Sequence, residues 1–288
     1  MVRSGLIAPS AARAVLVVGA VVAVASVVGL LVGSPDGLVV SADAGAPTIS
    51  TWVVLLPSAI GIVLTLLLPW QPAPLPASLE RIDRLRVTTA VLVGLAIAFP
   101  VLVGVVPLRE EDYVLGKFVM LMAVPGLALL VLRGSVRIER PREAWRWWAP
   151  LAVVVAWTLL SQVAPWNPRS DLSGFDRSYL ILAASATAVT AGIGEELFYR
   201  RWLQTRLEVL LGPWPAIAVT SLAFALMHLG SHGTGDLAAD VARVVVVQGS
   251  FGLLVGVMWW RYRNLSMIVA VHLISNGWGV VAHLVTSG

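Results

Sequence analysis

Apolar residues run along this chain in blocks of about 16–22, broken by short connections rich in arginine and proline. The blocks fall at about 14–33, 49–70, 87–107, 115–132, 147–164, 178–194, 214–229, 241–260 and 265–286. A bilayer-crossing helix needs roughly 20 apolar residues. The pattern therefore predicts an all-α, polytopic membrane helix bundle of about nine transmembrane helices, with eight as the alternative count. The first block is longer than the roughly 7–15 apolar residues of a signal peptide and is read as a span. The connection over 71–86 opens with prolines and turns amphipathic and basic, as a linker lying at the headgroups does. Trp145, Trp147 and Trp148 have the character of interfacial anchors.

Composition agrees with the pattern: of 288 residues, 58% are hydrophobic and 12% charged, and the mean hydropathy is +0.86. The absence of cysteine excludes disulfides, thiolate nucleophiles and Cys-ligated metals. The formal charge of +4 does not indicate nucleic acid, because the arginines lie in short clusters between apolar blocks. Alternating the connections across nine spans puts 15 Lys and Arg on the side of the N-terminus and 5 on the other, the latter including Lys117. The positive-inside rule then places the N-terminus in the cytoplasm. The abundance of Arg, Ala and Val suits a high-GC bacterium, and hence an integral protein of a bacterial plasma membrane.

Candidate chemistry is concentrated in the last third, where all four histidines lie, His228, His232, His272 and His283. Ionisable residues in a membrane segment are costly and mark function by default. Glu195 and Glu196 follow the small-residue run of the sixth block. On an α-helix Glu196 and Arg200 are i,i+4 neighbours, and an ion pair at a helix end accounts for both. Glu195 points roughly 100° away from Glu196 and has Tyr199 at i+4. It is the carboxylate without an evident partner, and desolvation suits it to act as a general base.

The stretch FALMH over 224–228 ends the seventh block, and His228 alone reads equally as an interfacial polar residue. His232 in the loop that follows reads as solvated, and His283 as lying near the outer interface. In HLISN over 272–276, His272 and Asn276 share one helix face. That pair reads either as helix-to-helix hydrogen bonding or as donors for an oxyanion.

Together these form an ordered pattern, EExxxR, then FxxxH, then HxxxN, each on its own helix. In this the sequence resembles the CPBP intramembrane proteases, also called the Abi or type II CAAX prenyl endopeptidase family. Glu195, Glu196 and Arg200 match the first motif, Phe224 and His228 the second, His272 and Asn276 the third. The resemblance covers about 178–286 and divides the chain into N-terminal spans over 1–177 and a catalytic membrane core of four helices over 178–288.

The resemblance implies a peptide-bond hydrolase in which Glu195 and His228 activate water, His272 and Asn276 stabilise the oxyanion, and Arg200 and Glu196 hold the helix of the base. Its partners would be membrane lipid and a peptide or membrane-protein substrate. A non-catalytic scaffold or bacteriocin-immunity protein of the same family is the alternative function. Family members are often called metalloproteases, and a zinc ion, if present, would take Glu195, His228 and His272. HExxH is absent, and a metal-free glutamate mechanism suits the same residues. A transporter would need ionisable groups through many spans, and the first five blocks contain almost none.

Depth poses one difficulty. If the seventh span begins near Trp214, His228 lies roughly 21 Å in at 1.5 Å per residue, whereas a sixth span ending at 194 leaves Glu195 near the surface. Continuation of the sixth helix through 197–211, tilted or kinked, would carry the carboxylates deeper.

Overall fold

The computed structural model describes residues 6–39, 48–73, 77–106, 108–139, 142–167, 171–230 and 236–286. Nine helical rods cross the bundle among the described residues, one for each apolar block. They are α1 (Pro9–Gly33), α2 (Thr51–Leu67), α3 (Ile82–Val105), α4 (Glu111–Val131), α5 (Trp145–Thr158, extended to Val163 by a π-helical turn), α6 (Arg177–Leu211), α7 (Pro213–Leu226), α8 (Leu237–Tyr262) and α9 (Leu265–Thr286). Six of them are long and apolar enough to cross a membrane by length and composition alone, and α2 and α7 are shorter apolar helices. The strands are two antiparallel clips of two residues each: β1 (Leu38–Val39) with β2 (Thr48–Ile49), and β3 (Ser78–Leu79) with β4 (Val136–Arg137). A polytopic helical membrane bundle is thus the fold.

The surface exposes many large apolar side chains, and the interior holds charged groups beside an apolar core, an arrangement a water-soluble domain rarely shows. Val17, Val21, Ile97, Leu130 and Leu182 are exposed, while Glu195, Glu196, Arg200, Gln204, Glu208 and Arg263 are buried. Lipid can solvate the first set and cannot solvate the second, so each polar group must find a partner inside. Glu208 pairs with Arg263, whose Nη1 lies 3.2 Å from Oε1. Trp259 donates its indole N–H to the Thr205 hydroxyl at 3.1 Å. Arg146 donates to the carbonyls of Tyr262 and Arg263. These bonds fasten the α8–α9 turn, where Arg263 has a left-handed φ of 49°, to α5 and α6.

The sixth helix runs on as expected, forming a rod of 35 residues from Arg177 to Leu211. Its start is capped by the Asp176 carboxylate, which accepts from the N–H groups of Ser178 and Tyr179. It ends at Gly212, whose φ of +84° favours glycine. Pro213 then begins α7 at a position where its missing N–H costs no helical bond. Glu195 precedes Gly212 by 17 residues and His228 follows it by 16, so the two stand at similar distances from the turn. The depth difficulty disappears because the turn, not Glu195, marks the helix end.

Close helix approach is set by glycines. A Cβ on Gly252 would meet Phe224 and the Ser221 backbone at 3.3 Å, and one on Gly256 would meet Ile217 at 3.2 Å, which brings α8 against α7. One on Gly192 would stand 2.4 Å from Leu273 Cδ2, which brings α6 against α9.

Candidate active site

The carboxylates of α6 lie on a stretch of unusual winding. Residues 188–204 are π-helical, and π-helical winding is usually a single turn and frequent at functional sites. Bonding to i+5 places more residues in each turn, so neighbours diverge less than the roughly 100° of an α-helix. Glu195 and Glu196 are both fully buried, because α3, α4, α7, α8 and α9 all pack against this stretch of α6.

His272 of α9 stands between them. Its Nδ1 lies 2.6 Å from Glu196 Oε1, and its Nε2 lies 3.8 Å from Glu195 Oε2. Glu196 also faces Arg200, with Nε 3.5 Å from Oε2. Arg200 donates to the Gly252 carbonyl at 3.2 Å and lies 4.4 Å from the centre of the Phe224 ring. The expected Glu196–Arg200 pair is present, but Glu196 makes its shorter contact to His272. It therefore orients the imidazole as well as anchoring α6.

The expectation that Glu195 lacks a partner is corrected. The Lys117 ammonium of α4 lies 2.5 Å from Glu195 Oε1, and both side chains are buried. Lys117 had been placed with the outer-side charges by the alternation of loops. The available signal was a lysine inside the 115–132 apolar block, where a charge is expensive.

His228 lies in the turn that ends α7. Its Nδ1 is 2.8 Å from the Phe224 carbonyl, so in the neutral ring Nδ1 carries the proton and Nε2 is the acceptor. It is half-buried and within electrostatic range of Glu195. Phe224 joins the two histidines, its ring centre 5.1 Å from that of His228 and 6.0 Å from that of His272, both edge-on. Phe251 of α8, which carries no sequence signal beyond apolarity, packs edge-on against His272 at 5.1 Å.

Asn276 lies one turn beyond His272 and is exposed on the bundle surface, outside the buried cluster. His283 is within electrostatic range of Asp171, in the connection before α6, away from the carboxylate pair. His232 lies outside the described residues.

Zinc does not fit this arrangement. Lys117 covers one oxygen of Glu195 with an ammonium, which competes with a metal cation. Among the described residues no three His, Asp or Glu side chains are grouped to hold a metal ion. No step below passes through one.

Helices α4, α6 and α9 thus bring two buried carboxylates, an ammonium, a guanidinium and an imidazole together inside the membrane bundle. Residues 177–278 match the family model described as Type II CAAX prenyl endopeptidase Rce1-like, and all three motifs fall inside that segment. UPF0177 protein YvdC of Lactococcus lactis subsp. lactis (strain IL1403) is 26% identical over an alignment of 178 residues that covers 54% of this chain and 64% of that protein. The chain thus spans just under two thirds of that relative's length. No solved structure matches. The resemblance carried by the three motifs is borne out over this segment, which is similar to the CAAX-type endopeptidases.

Proposed function

We propose that the protein is an intramembrane endopeptidase that hydrolyses a peptide bond of a membrane-associated protein or peptide. The observation that carries this is His272 set between Glu195 and Glu196 in a fully buried cluster. In the reaction, a water oxygen adds to the scissile carbonyl carbon while Glu195, with His228 nearby, takes one of its protons. The carbonyl π pair moves onto oxygen. His272 Nε2 donates to that oxyanion. When the C=O bond re-forms and the C–N bond breaks, the proton held by Glu195 passes to the leaving nitrogen, giving a carboxylic acid and an amine.

Glu196 has a defined part in this reading. With Nδ1–H donated to Glu196, His272 donates from Nε2 only as the imidazolium, and the Glu196 carboxylate stabilises that cation. Arg200 in turn holds Glu196. On this account 178–288 form the catalytic core, α4 contributes Lys117 from outside it, and the excess of arginine on one side places the N-terminus in the cytoplasm of a bacterial plasma membrane.

The test is comparative proteomics of membrane fractions from cells carrying the native chain or Glu195→Gln. A peptide fragment formed only with the native chain supports hydrolysis and names the substrate. Identical peptide profiles at equal protein abundance point to a scaffold instead.

A further inference from the structure

We propose that Lys117 is a positioning residue of this site: its ammonium fixes Glu195 as the ionised carboxylate, with one oxygen turned to α4 and the other toward His272. What Glu195 does in that state rests on the endopeptidase reading above, whereas the pairing itself does not.

Charge balance in the cluster supports the assignment. Two carboxylates, Glu195 and Glu196, are buried with two permanent cations, Lys117 and Arg200, and with His272, which carries charge only when protonated. Arg200 is committed to Glu196 and to the Gly252 carbonyl. Lys117, 2.5 Å from Oε1, is the cation that directly faces Glu195. A carboxylate without a nearby cation in a medium of low dielectric binds a proton instead of staying charged. Protonated Glu195 could not accept a proton from water, so the lysine, the permanent cation at its carboxylate, favours a base at this position.

The lysine is itself held. Its ammonium lies 5.2 Å from the ring centre of Tyr113, one turn earlier on α4, and Tyr113 packs on Phe99 of α3 at 5.8 Å. With Oε1 taken by Lys117, Oε2, on the His272 side, is the oxygen that meets the reacting water. The titratable and charged groups acting on the pair are Tyr113 from α4, Glu196, Tyr199 and Arg200 from α6, His228 from the turn after α7, and His272 from α9.

Infrared spectroscopy of the purified full chain in liposomes at neutral pH tests this without a substrate. Lys117→Met should gain a protonated-carboxyl stretching band that the native chain lacks, and Lys117→Met/Glu195→Gln should lose it again. Lys117→Arg should keep the native spectrum. A purely structural lysine would move no such band. If Lys117→Met does not accumulate, the band is read in Lys117→Gln. In membranes, Lys117→Met should lower formation of the Glu195-dependent fragment by about 10²–10⁴-fold, the usual contribution of a general base, while Lys117→Arg stays within about tenfold of native.

No Glu195-dependent band, or full cleavage by Lys117→Met, overturns the proposal and leaves the endopeptidase reading standing. A band that depends on Lys117 in a protein that cleaves nothing supports the pairing and overturns the endopeptidase reading.

Discussion

Arg200→Met should destabilise the bundle by about 3 kcal/mol, and most of that loss should vanish when Glu196 is neutralised as well. Arg200 is fully buried, lies 3.5 Å from Glu196, donates to the Gly252 carbonyl at 3.2 Å and stands 4.4 Å over Phe224. Removing one partner of a buried ion pair costs about 3–5 kcal/mol, chiefly because the other charge is left uncompensated. A hydrogen bond from a charged donor contributes about 1.5–3 kcal/mol, and a desolvated cation–π contact about 2 kcal/mol. These overlap and do not add. The lower end of the range applies because Glu196 keeps His272 at 2.6 Å. Equilibrium unfolding in mixed detergent micelles measures the loss. The double variant Arg200→Met/Glu196→Gln buries no uncompensated carboxylate and should be less damaged than the sum of the single variants by about 2 kcal/mol. A single-variant loss below about 1 kcal/mol, or strict additivity in the double variant, would refute the network.

Further predictions follow from burial and contact distance. Asn276→Ala should leave both the hydrolysis rate and the unfolding midpoint near native, because Asn276 is exposed outside the buried cluster; a rate loss of about 10²–10³-fold, the usual cost of one oxyanion donor, would put it in the site. His272→Ala should instead lower both rate and midpoint. Gly192→Val should cost about 1–3 kcal/mol by overpacking against Leu273, and Leu273→Ala should recover part of it; a neutral Gly192→Val would mean that α6 and α9 are farther apart. Arg263→Met should cost about 3–5 kcal/mol by stranding the buried Glu208, whereas Arg109→Ala, which breaks exposed pairs, should leave the midpoint unmoved.

The sequence made the helices legible because burial in lipid demands long apolar blocks, and the nine rods coincide with them. It also exposed the continuation of α6, since the depths of Glu195 and His228 could not otherwise agree. What it could not show depends on contacts between distant segments. Lys117 meets Glu195 only once α4 is packed on α6, and loop alternation had drawn the lysine to the outer side. Glu196 was read through its i+4 neighbour on an ideal α-helix. In the bundle, helices packed on several sides of 188–204 bury both carboxylates, and Glu196 meets His272 of α9. The shared face of His272 and Asn276 was correct as spacing, yet one residue of the pair is buried and the other exposed, because helix periodicity fixes direction and not depth in the bundle.

The central claim is that the Glu195, Glu196 and His272 cluster hydrolyses a peptide bond. Its most direct test is to incubate membranes containing the native chain or Glu195→Gln in ¹⁸O-labelled water and to sequence the fragments released. The account predicts a fragment present only with the native chain, carrying ¹⁸O in its new C-terminal carboxylate. Equal release by Glu195→Gln, or no chain-dependent fragment at all, would contradict it.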